Sequence, residues 1–421
     1  KTDESYLNLG IGSLLATSSV ADAGGNSTTL VQKTYDGGEP AAATAGTPNH
    51  DPNYGTGALY RGLVTTRVTP GDTVTQQTTT MGYDTTGMVR SSTNGATQVQ
   101  ITPDAATNSV PTALTPNGNT SLQTQVQYNS WLGPTSVTGP NSTPGSPNVA
   151  STTYDSAGRV ATETSVFGTQ TTYTYTAYYS SPSGYSTVLA QTAGVNGPRY
   201  TLTTLDGFGR AVRVERGIVS GGSRQPQSYV DTQYAPCGCS PLGKVSKVSE
   251  AYAPGAAVVW AHQYTFDGLG RMTQDLLPDG SATLYTYSGN TTTVTPPSNN
   301  PSNPVSPWKR YTTDAQGNLT SVSEPDPTLG TVTTSYSYDV LNHLTQVTMT
   351  RGGTTQTRTF RCNSGSAVGA YLLSATNPEN GTVNYAYNAD GTLRKKGDAK
   401  HEETAYTYDS LKRVTAIQRG T

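Results

Sequence analysis

Three cysteines are the side chains with the widest range of chemistry in this 421-residue chain. Cys237 and Cys239 lie two residues apart, and Cys362 is distant in sequence. A Cys-x-Cys pair supplies half of a zinc site and needs two more ligands, for which His262 and Cys362 are the candidates. The alternatives are a disulfide, between Cys237 and Cys239 or with Cys362, and a turn whose cysteines do no chemistry. We favour the plain turn and predict no bound metal.

Recurring aspartates are the next candidates, because paired carboxylates can act as acids and bases. Their regular recurrence at similar positions indicates a structural role instead. They are Asp155, Asp206, Asp267, Asp314, Asp339 and Asp409. The four histidines show no metalloprotease spacing, and the chain has no phosphate-binding glycine loop and no Gly-x-Ser-x-Gly elbow. These histidines are His50, His262, His343 and His401. We therefore predict that the chain is not an enzyme and uses no cofactor.

The aspartates belong to a repeated unit, of which residues 264–275, YTFDGLGRMTQD, are the clearest copy. Its two aromatic residues are two apart and so share one face of a strand. Asp267-Gly268 tolerates positive φ, and Gly270 offers a second such position, which predicts a tight turn. Arg271 then begins a second strand and can bond back to the carboxylate of Asp267. One unit is therefore about one β-hairpin.

Further copies of this unit extend along most of the chain. We predict that their turn residues are structural: Tyr154, Asp155, Gly158, Arg159, Asp206, Gly209, Arg210, Phe266, Asp267, Gly270, Arg271, Tyr338, Asp339, Tyr408, Asp409 and Arg413. A single hairpin cannot bury its apolar face, so the units must stack side by side. We predict an all-β fold, a repetitive antiparallel β-hairpin array. It occupies residues 81–421 and is truncated at its C-terminal end, while residues 1–80 are an irregular part of the array or an insertion.

The composition of the chain excludes some classes of binding partner. Charged residues make up 13% of the chain and the formal net charge is −2, too little for an electrostatic grip on nucleic acid. No apolar run reaches the length of a membrane span. The 27 tyrosines far outnumber the 4 phenylalanines, so large side chains carry a hydroxyl that needs a partner, and we expect a thin core. The low charge and many Thr, Ser, Asn and Gly residues favour an extracellular or cell-surface location.

The Tyr-Asp-x-x-Gly-Arg units, with Pro-Asp-Gly or Glu-Asn-Gly turns ahead of Tyr-x-Tyr strands, resemble the YD repeats of the bacterial RHS (rearrangement hot spot) family. Toxin-complex C components and teneurins are related to this family. The resemblance covers residues 83–421. It implies a long β-ribbon that spirals into a hollow shell or a rod, which in many members encloses a C-terminal toxin or effector. The family's closing Asp-Pro-x-Gly signature is missing, since Asp326-Pro327 lies mid-chain and lacks the glycine.

This resemblance predicts a non-enzymatic extracellular structural protein, a segment of an RHS β-shell that encloses or carries a toxin or effector. The alternative is a self-assembling fibre or cell-surface adhesin, in which open strand edges pair between copies of the chain. Rows of exposed tyrosines could also stack on carbohydrate, although packing between hairpins is the interpretation that we prefer. The predicted partners are thus a cargo protein or further copies of the chain.

Overall fold

The computed structural model describes residues 2–8, 13–43, 47, 50–71, 76–95, 97–177, 184–195, 197–237, 240–297, 307–364 and 367–420. Within these ranges the regular structure is β-strand, apart from two 3-10 turns at Pro52–Tyr54 and Thr120–Leu122. The prediction of an all-β array of antiparallel hairpins is confirmed.

The strands follow one another with short connections. In the part of the chain that the structure describes there are 34: β1 (Thr2–Asn8), β2 (Ser13–Ala21), β3 (Ser27–Tyr35), β4 (Val64–Thr69), β5 (Gln77–Tyr83), β6 (Val89–Asn94), β7 (Thr97–Pro103), β8 (Pro111–Pro116), β9 (Thr124–Tyr128), β10 (Pro134–Thr138), β11 (Val149–Tyr154), β12 (Val160–Thr164), β13 (Gln170–Thr176), β14 (Ser186–Thr192), β15 (Arg199–Leu205), β16 (Ala211–Ser220), β17 (Ser223–Cys237), β18 (Ser240–Ser249), β19 (Trp260–Phe266), β20 (Met272–Leu276), β21 (Ala282–Ser288), β22 (Thr291–Thr295), β23 (Lys309–Thr313), β24 (Leu319–Asp326), β25 (Gly330–Tyr338), β26 (Leu344–Arg351), β27 (Thr354–Arg361), β28 (Asn363–Ser364), β29 (Ala367–Val368), β30 (Ser374–Asn377), β31 (Gly381–Tyr387), β32 (Leu393–Gly397), β33 (Glu403–Tyr408) and β34 (Val414–Gly420).

The chain divides into two compact units, one made of Lys1–Pro147 with Thr334–Thr421 and the other of Asn148–Thr333. In the second unit, β11 to β24 pair in sequence order, each antiparallel to the next. In the first unit, β1 to β10 form one such run. Residue 80 lies in β5, which pairs with β4 and β6 in this run.

A second run in the first unit consists of β25 from Thr334 onward, β26, β27 and β30 to β34, with β28 and β29 forming a small separate hairpin. The two runs contact each other through residues that are far apart in sequence. The amide N of Ala370 donates to the carbonyl O of Gly71 at 2.7 Å, and Nε2 of Gln77 lies 3.5 Å from the carbonyl O of Ala389. These bonds join the two runs of strands within the first unit.

The two faces of the hairpins differ in chemistry. In β21 the side chains of Tyr285 and Tyr287 are half-buried, and those of Leu284, Thr286 and Ser288, which alternate with them, are exposed. The exposed face carries hydroxyl pairs across strands, such as Thr265 with Thr273 at 2.9 Å. Since strand side chains alternate between faces, the tyrosines form one surface and the hydroxyls another.

The core is thin, as the composition indicates. Among the described residues, the buried apolar side chains are Tyr200, Val332, Cys362 and Ala375. Tyr200 lies over Gly217 and donates its hydroxyl to Oε1 of Glu215 at 2.6 Å. A Cβ at Gly217 would lie 2.2 Å from the carbonyl O of Gln225 and 2.8 Å from the Tyr200 ring, so only glycine fits there.

Candidate functional site

The repeated aspartate turn is built the same way in each clear copy. In the hairpin of β19 and β20, the amide N of Asp267 donates to the carbonyl O of Arg271, and the amide N of Gly270 donates to the carbonyl O of Asp267, both at 2.9 Å. Positive φ occurs at Gly270 (78°) rather than at Asp267 or Gly268. The connection is therefore a turn followed by one left-handed residue, and the strand pairing shifts by one residue beside it.

The aspartate side chain holds this turn together. Oδ1 of Asp267 accepts the amide N–H groups of Leu269 at 3.0 Å and Arg271 at 2.9 Å. Oδ2 accepts Nε of Arg271 at 2.8 Å and lies 2.7 Å from its Nη2. The backbone bond from Arg271, followed by its side-chain bond, outweighs burial and holds the pKa of Asp267 below its usual value. The carboxylate is thus ionised and fully bonded.

The other predicted turn residues lie in equivalent positions. Arg159, Arg210 and Arg413 donate Nε to Oδ2 of the aspartate four residues earlier, at 2.8, 2.8 and 2.6 Å. Tyr154, Phe266, Tyr338 and Tyr408 end the strand before the turn. Gly158 and Gly209 have φ of 77°, and in the Asp339 and Asp409 turns Asn342 (64°) and Lys412 (61°) take the glycine position.

A second contact, which the sequence reasoning missed, joins the turns at Asp155, Asp206 and Asp267 to the strand that follows the hairpin. The Cζ atom of Arg271 lies 4.3 Å from the ring centre of Tyr287, and the Tyr287 hydroxyl donates to the carbonyl O of Met272 at 2.7 Å. The same clamp joins Arg159 to Tyr175, at 4.3 Å. The signal in the sequence was a tyrosine 16 residues after Arg159 and after Arg271, whereas Tyr234 lies 24 residues after Arg210.

One turn of this type is buried. Asp84 is fully buried, and its Oδ1 accepts the amide N–H groups of Thr86 at 2.9 Å and Met88 at 3.1 Å. Its Oδ2 accepts Nδ2 of Asn108 at 2.7 Å and lies 3.3 Å from Nη1 of Arg90. Burial acts to raise the pKa of Asp84, but the hydrogen bonds outweigh it and lower the pKa below its usual value.

A long loop between β3 and β4 covers this buried turn. The amide N of Ala41 donates to the carbonyl O of Tyr83, and the amide N of Thr85 donates to the carbonyl O of Ala41, both at 2.8 Å. Nε2 of His50 lies 2.9 Å from the carbonyl O of Thr85, which Arg61 also contacts. The loop therefore satisfies backbone groups that the burial of the turn would otherwise leave without partners.

His262 and Cys362, the other candidate zinc ligands, each have a neighbour of their own among the described residues. Cys362 is a buried thiol and is free within the described part of the chain. Cys237 ends β17, its side chain lies outside the described part of the chain, and so does Cys239. Nδ1 of His262 lies 2.9 Å from Oδ2 of Asp275. Cys362 is grouped with two other residues of the first unit, described below.

No helix among the described residues is long and apolar enough to cross a membrane. Comparison with known proteins adds family and fold. Residues 314–354 match the RHS repeat family model. No curated protein sequence matches the chain.

The whole chain aligns with the crystal structure of TcdB2–TccC3 at 12% identity, with a TM-score of 0.67, and covers 27% of that chain. It aligns equally with a Photorhabdus luminescens Tc holotoxin pore, at 12% identity and a TM-score of 0.67, and covers 29% of that chain. The chain thus spans between a quarter and a third of these proteins, and at this identity the likeness shows the fold.

Proposed function

Because the chain is an RHS/YD-repeat protein by its repeat and its fold, we propose that it forms part of the wall of a β-shell that encloses or carries a toxin or effector, outside the cell that makes it. The observation that carries this proposal is the fold match over 100% of the chain to TcdB2–TccC3. A second such match is to a Tc holotoxin. A wall segment needs a continuous sheet rather than a reactive centre.

The turn chemistry supports a structural role. The carboxylates of Asp155, Asp206 and Asp267 each accept backbone hydrogen bonds on Oδ1 and an arginine hydrogen bond on Oδ2. A carboxylate in that state is held ionised and is not free to exchange a proton with a substrate. The tyrosine rings stack under arginines, which favours packing over carbohydrate binding. In these three hairpins the arginine contacts a tyrosine on the next strand and so joins the strand pair to it, as a wall requires.

Electron microscopy of the native, untagged protein tests the shell. We expect closed hollow particles of fixed size, containing a polypeptide that resists added protease until the particles are opened with denaturant. Mass spectrometry before and after opening identifies that polypeptide. Filaments with a regular axial repeat, or a co-purifying polypeptide that is digested at once, would contradict the shell.

A fibre is the second candidate, in which copies of the chain pair through the exposed strand β34. β34 is exposed along its whole length and, within the described residues, pairs with β33 alone. Val414 and Ile417 are 50% and 57% exposed. An open strand edge can pair with a strand of another copy, and a charged residue on the edge strand opposes this.

Sedimentation velocity of an Ile417→Lys variant tests the fibre. If copies join through β34, the substitution shifts the protein from large assemblies to single chains. Leu284→Lys is the matched control, because Leu284 is 45% exposed in β21, which is paired on both sides. Equal assembly of the wild type and both variants counts against edge pairing.

A further inference from the structure

The turn at Asp339 departs from the other clear copies at two linked positions. Where Arg271 follows Asp267, His343 follows Asp339 at the same spacing, and its Nδ1 lies 3.0 Å from Oδ2 of Asp339. The other departure is on the neighbouring strand, at the position that Tyr287 occupies in the Asp267 hairpin.

The strand register identifies that second residue. Gln274 pairs with Leu284 in β20 and β21, and continuing this register places Arg271 opposite Tyr287. Gln346 pairs with Thr359 in β26 and β27, and continuing that register places His343 opposite Cys362. The arginine and tyrosine of the clamp are thus both replaced, by a histidine and a cysteine.

These replacements collect three metal-ligating side chains at one point of the first unit. One ligand atom each from Asp339, His343 and Cys362 lies within 4.8 Å of the other two. Oδ1 of Asp339 is held by the amide N–H groups of Leu341 and His343, at 2.9 and 3.0 Å, so Oδ2 faces the histidine. Cys362 is only 6% exposed, while His343 is partly exposed and gives access from solvent.

We propose that Asp339, His343 and Cys362 bind one zinc ion, through a carboxylate oxygen, an imidazole nitrogen and the thiolate sulfur. A thiolate and an imidazole favour zinc over calcium or magnesium, and a water molecule completes four-coordination. Three oxygen, nitrogen and sulfur ligands around a tetrahedral ion lie roughly 3–4 Å apart, so only small side-chain movements are required.

In the Asp339 turn the metal ion replaces the arginine guanidinium as the positive charge beside the aspartate. In the Asp267 hairpin, Arg271 supplies the positive charge that holds the carboxylate and reaches Tyr287 on the next strand. A zinc ion in the Asp339 turn supplies a positive charge at the same point and joins the turn to Cys362 by direct bonds. Binding releases the thiol proton of Cys362 to solvent, and a neutral His343 carries its remaining proton on the ring nitrogen that does not bind the metal, so binding tightens as pH rises.

Cobalt titration of the reduced, full 421-residue chain tests this site, with Co²⁺ as the spectroscopic probe for zinc. We expect one equivalent of Co²⁺ to bind, with a thiolate-to-cobalt charge-transfer band that added Zn²⁺ abolishes. Metal analysis after gel filtration should then find one zinc per chain. The thermal unfolding temperature should rise with Zn²⁺ and fall back with EDTA.

Three variants locate the ligands. Cys362→Ser removes the thiolate, and His343→Arg restores the residue found in the other turns. Both should lose the band and the bound equivalent, while Cys237→Ser/Cys239→Ser keeps them. With EDTA present in both samples, the His343→Arg variant should unfold at or above the temperature of the wild type. Such a result shows that the variant is folded and that it fails to bind metal because the ligand is gone.

Three results would overturn the proposal. One is a charge-transfer band that persists in Cys362→Ser, and another is a band that disappears in the Cys237→Ser/Cys239→Ser variant, which places the thiolate ligand elsewhere. The third is wild-type protein without bound zinc at roughly micromolar free zinc, where structural zinc sites are filled.

Discussion

The turns at Asp267 and Asp84 share one backbone design and differ in their surroundings. In both, the aspartate Oδ1 accepts the amide N–H groups two and four residues later. Oδ2 of Asp267 binds Arg271 of its own hairpin, in an exposed turn. Oδ2 of Asp84 binds Asn108, which belongs to a different hairpin, and Asp84 is fully buried.

This difference distinguishes the role of the motif itself, which closes a hairpin, from the role that buried surroundings add to it. The motif closes a hairpin in either place, because its backbone acceptors and donors are all local. At Asp84 the same carboxylate also holds a neighbouring turn, under a loop that contributes Ala41 and Arg61. One sequence motif therefore serves as a self-contained turn in one place and as an anchor for several segments in the other.

Lowering the pH should destabilise the exposed and the buried turns together, and it should reduce the stability of the protein more than any of the substitutions below. Hydrogen bonds lower the folded-state pKa values of Asp84 and Asp267, as they do at most of the turn aspartates. A lowered folded pKa gives stability that is complete above the unfolded value of about 4 and is lost as pH falls through the folded value. The urea midpoint should therefore stay level from neutral pH to about pH 5 and then fall steeply.

Asp104, in the turn that presents Asn108 to Asp84, extends this fall. Burial acts to raise its pKa, but hydrogen bonds from Thr107, Ser109 and Val110 outweigh it and lower the pKa to about 2. An Asp104→Asn variant should have a lower urea midpoint at neutral pH and a shallower fall between pH 4 and 2. Parallel curves for the variant and the wild type would contradict this assignment.

Asp84→Ala should be the most damaging single substitution at these turns. It leaves the Asn108 amide and buried backbone N–H groups without their acceptor, which costs about 3 kcal/mol. Asp267→Ala removes the same bonds in an exposed turn, where water replaces them, so its effect should be smaller. Hydrogen exchange of peptides that span each turn, with urea unfolding, measures both.

Protection should fall across the turns of Asp84 and Asn108 together in the first variant, and across one hairpin in the second. Equal urea shifts, or exchange confined to a single hairpin in both variants, would show that burial adds nothing to the motif.

Tyr287→Phe should have a smaller effect that is confined to the exposed turn. It removes the hydroxyl that donates to the carbonyl O of Met272 and keeps the ring under Arg271. We expect a loss of about 1 kcal/mol in the free energy of unfolding, from urea denaturation. Tyr285→Phe is the control, because the Tyr285 hydroxyl makes no hydrogen bond within the described residues, and it should leave stability unchanged.

Much of the fold followed from local chemistry. Alternating aromatics, an Asp-x-x-Gly-Arg run and short spacing predicted an array of antiparallel hairpins, because each of these signals lies within about twelve residues. The bond between Arg271 and Asp267 lies within the same short range. The position of positive φ was harder to predict, since both Gly268 and Gly270 are glycines and only the closed turn distinguishes them.

The long-range features could not be predicted in this way. The stacking of Arg271 on Tyr287 depends on the register of two strands, and so does the position of Cys362 opposite His343. The sequence suggested Cys237, Cys239 and His262 as companions for Cys362, because closeness in sequence and residue type were the only guides. Pairing register, which a one-residue bulge changes, decides such neighbours.

The sequence by itself determined the repeated turn and hence the hairpin array, because the carboxylate, the left-handed residue and the arginine act within five residues of each other. Only the tertiary structure decided which turns are buried and which side chains meet across strands. The bonds that join the two runs of strands in the first unit, such as that from Gln77 to Ala389, connect residues 312 apart in sequence. Contacts between residues so far apart leave no local pattern in the sequence. Forming them costs the conformational entropy of the chain between them, so they form only as part of the assembled sheet.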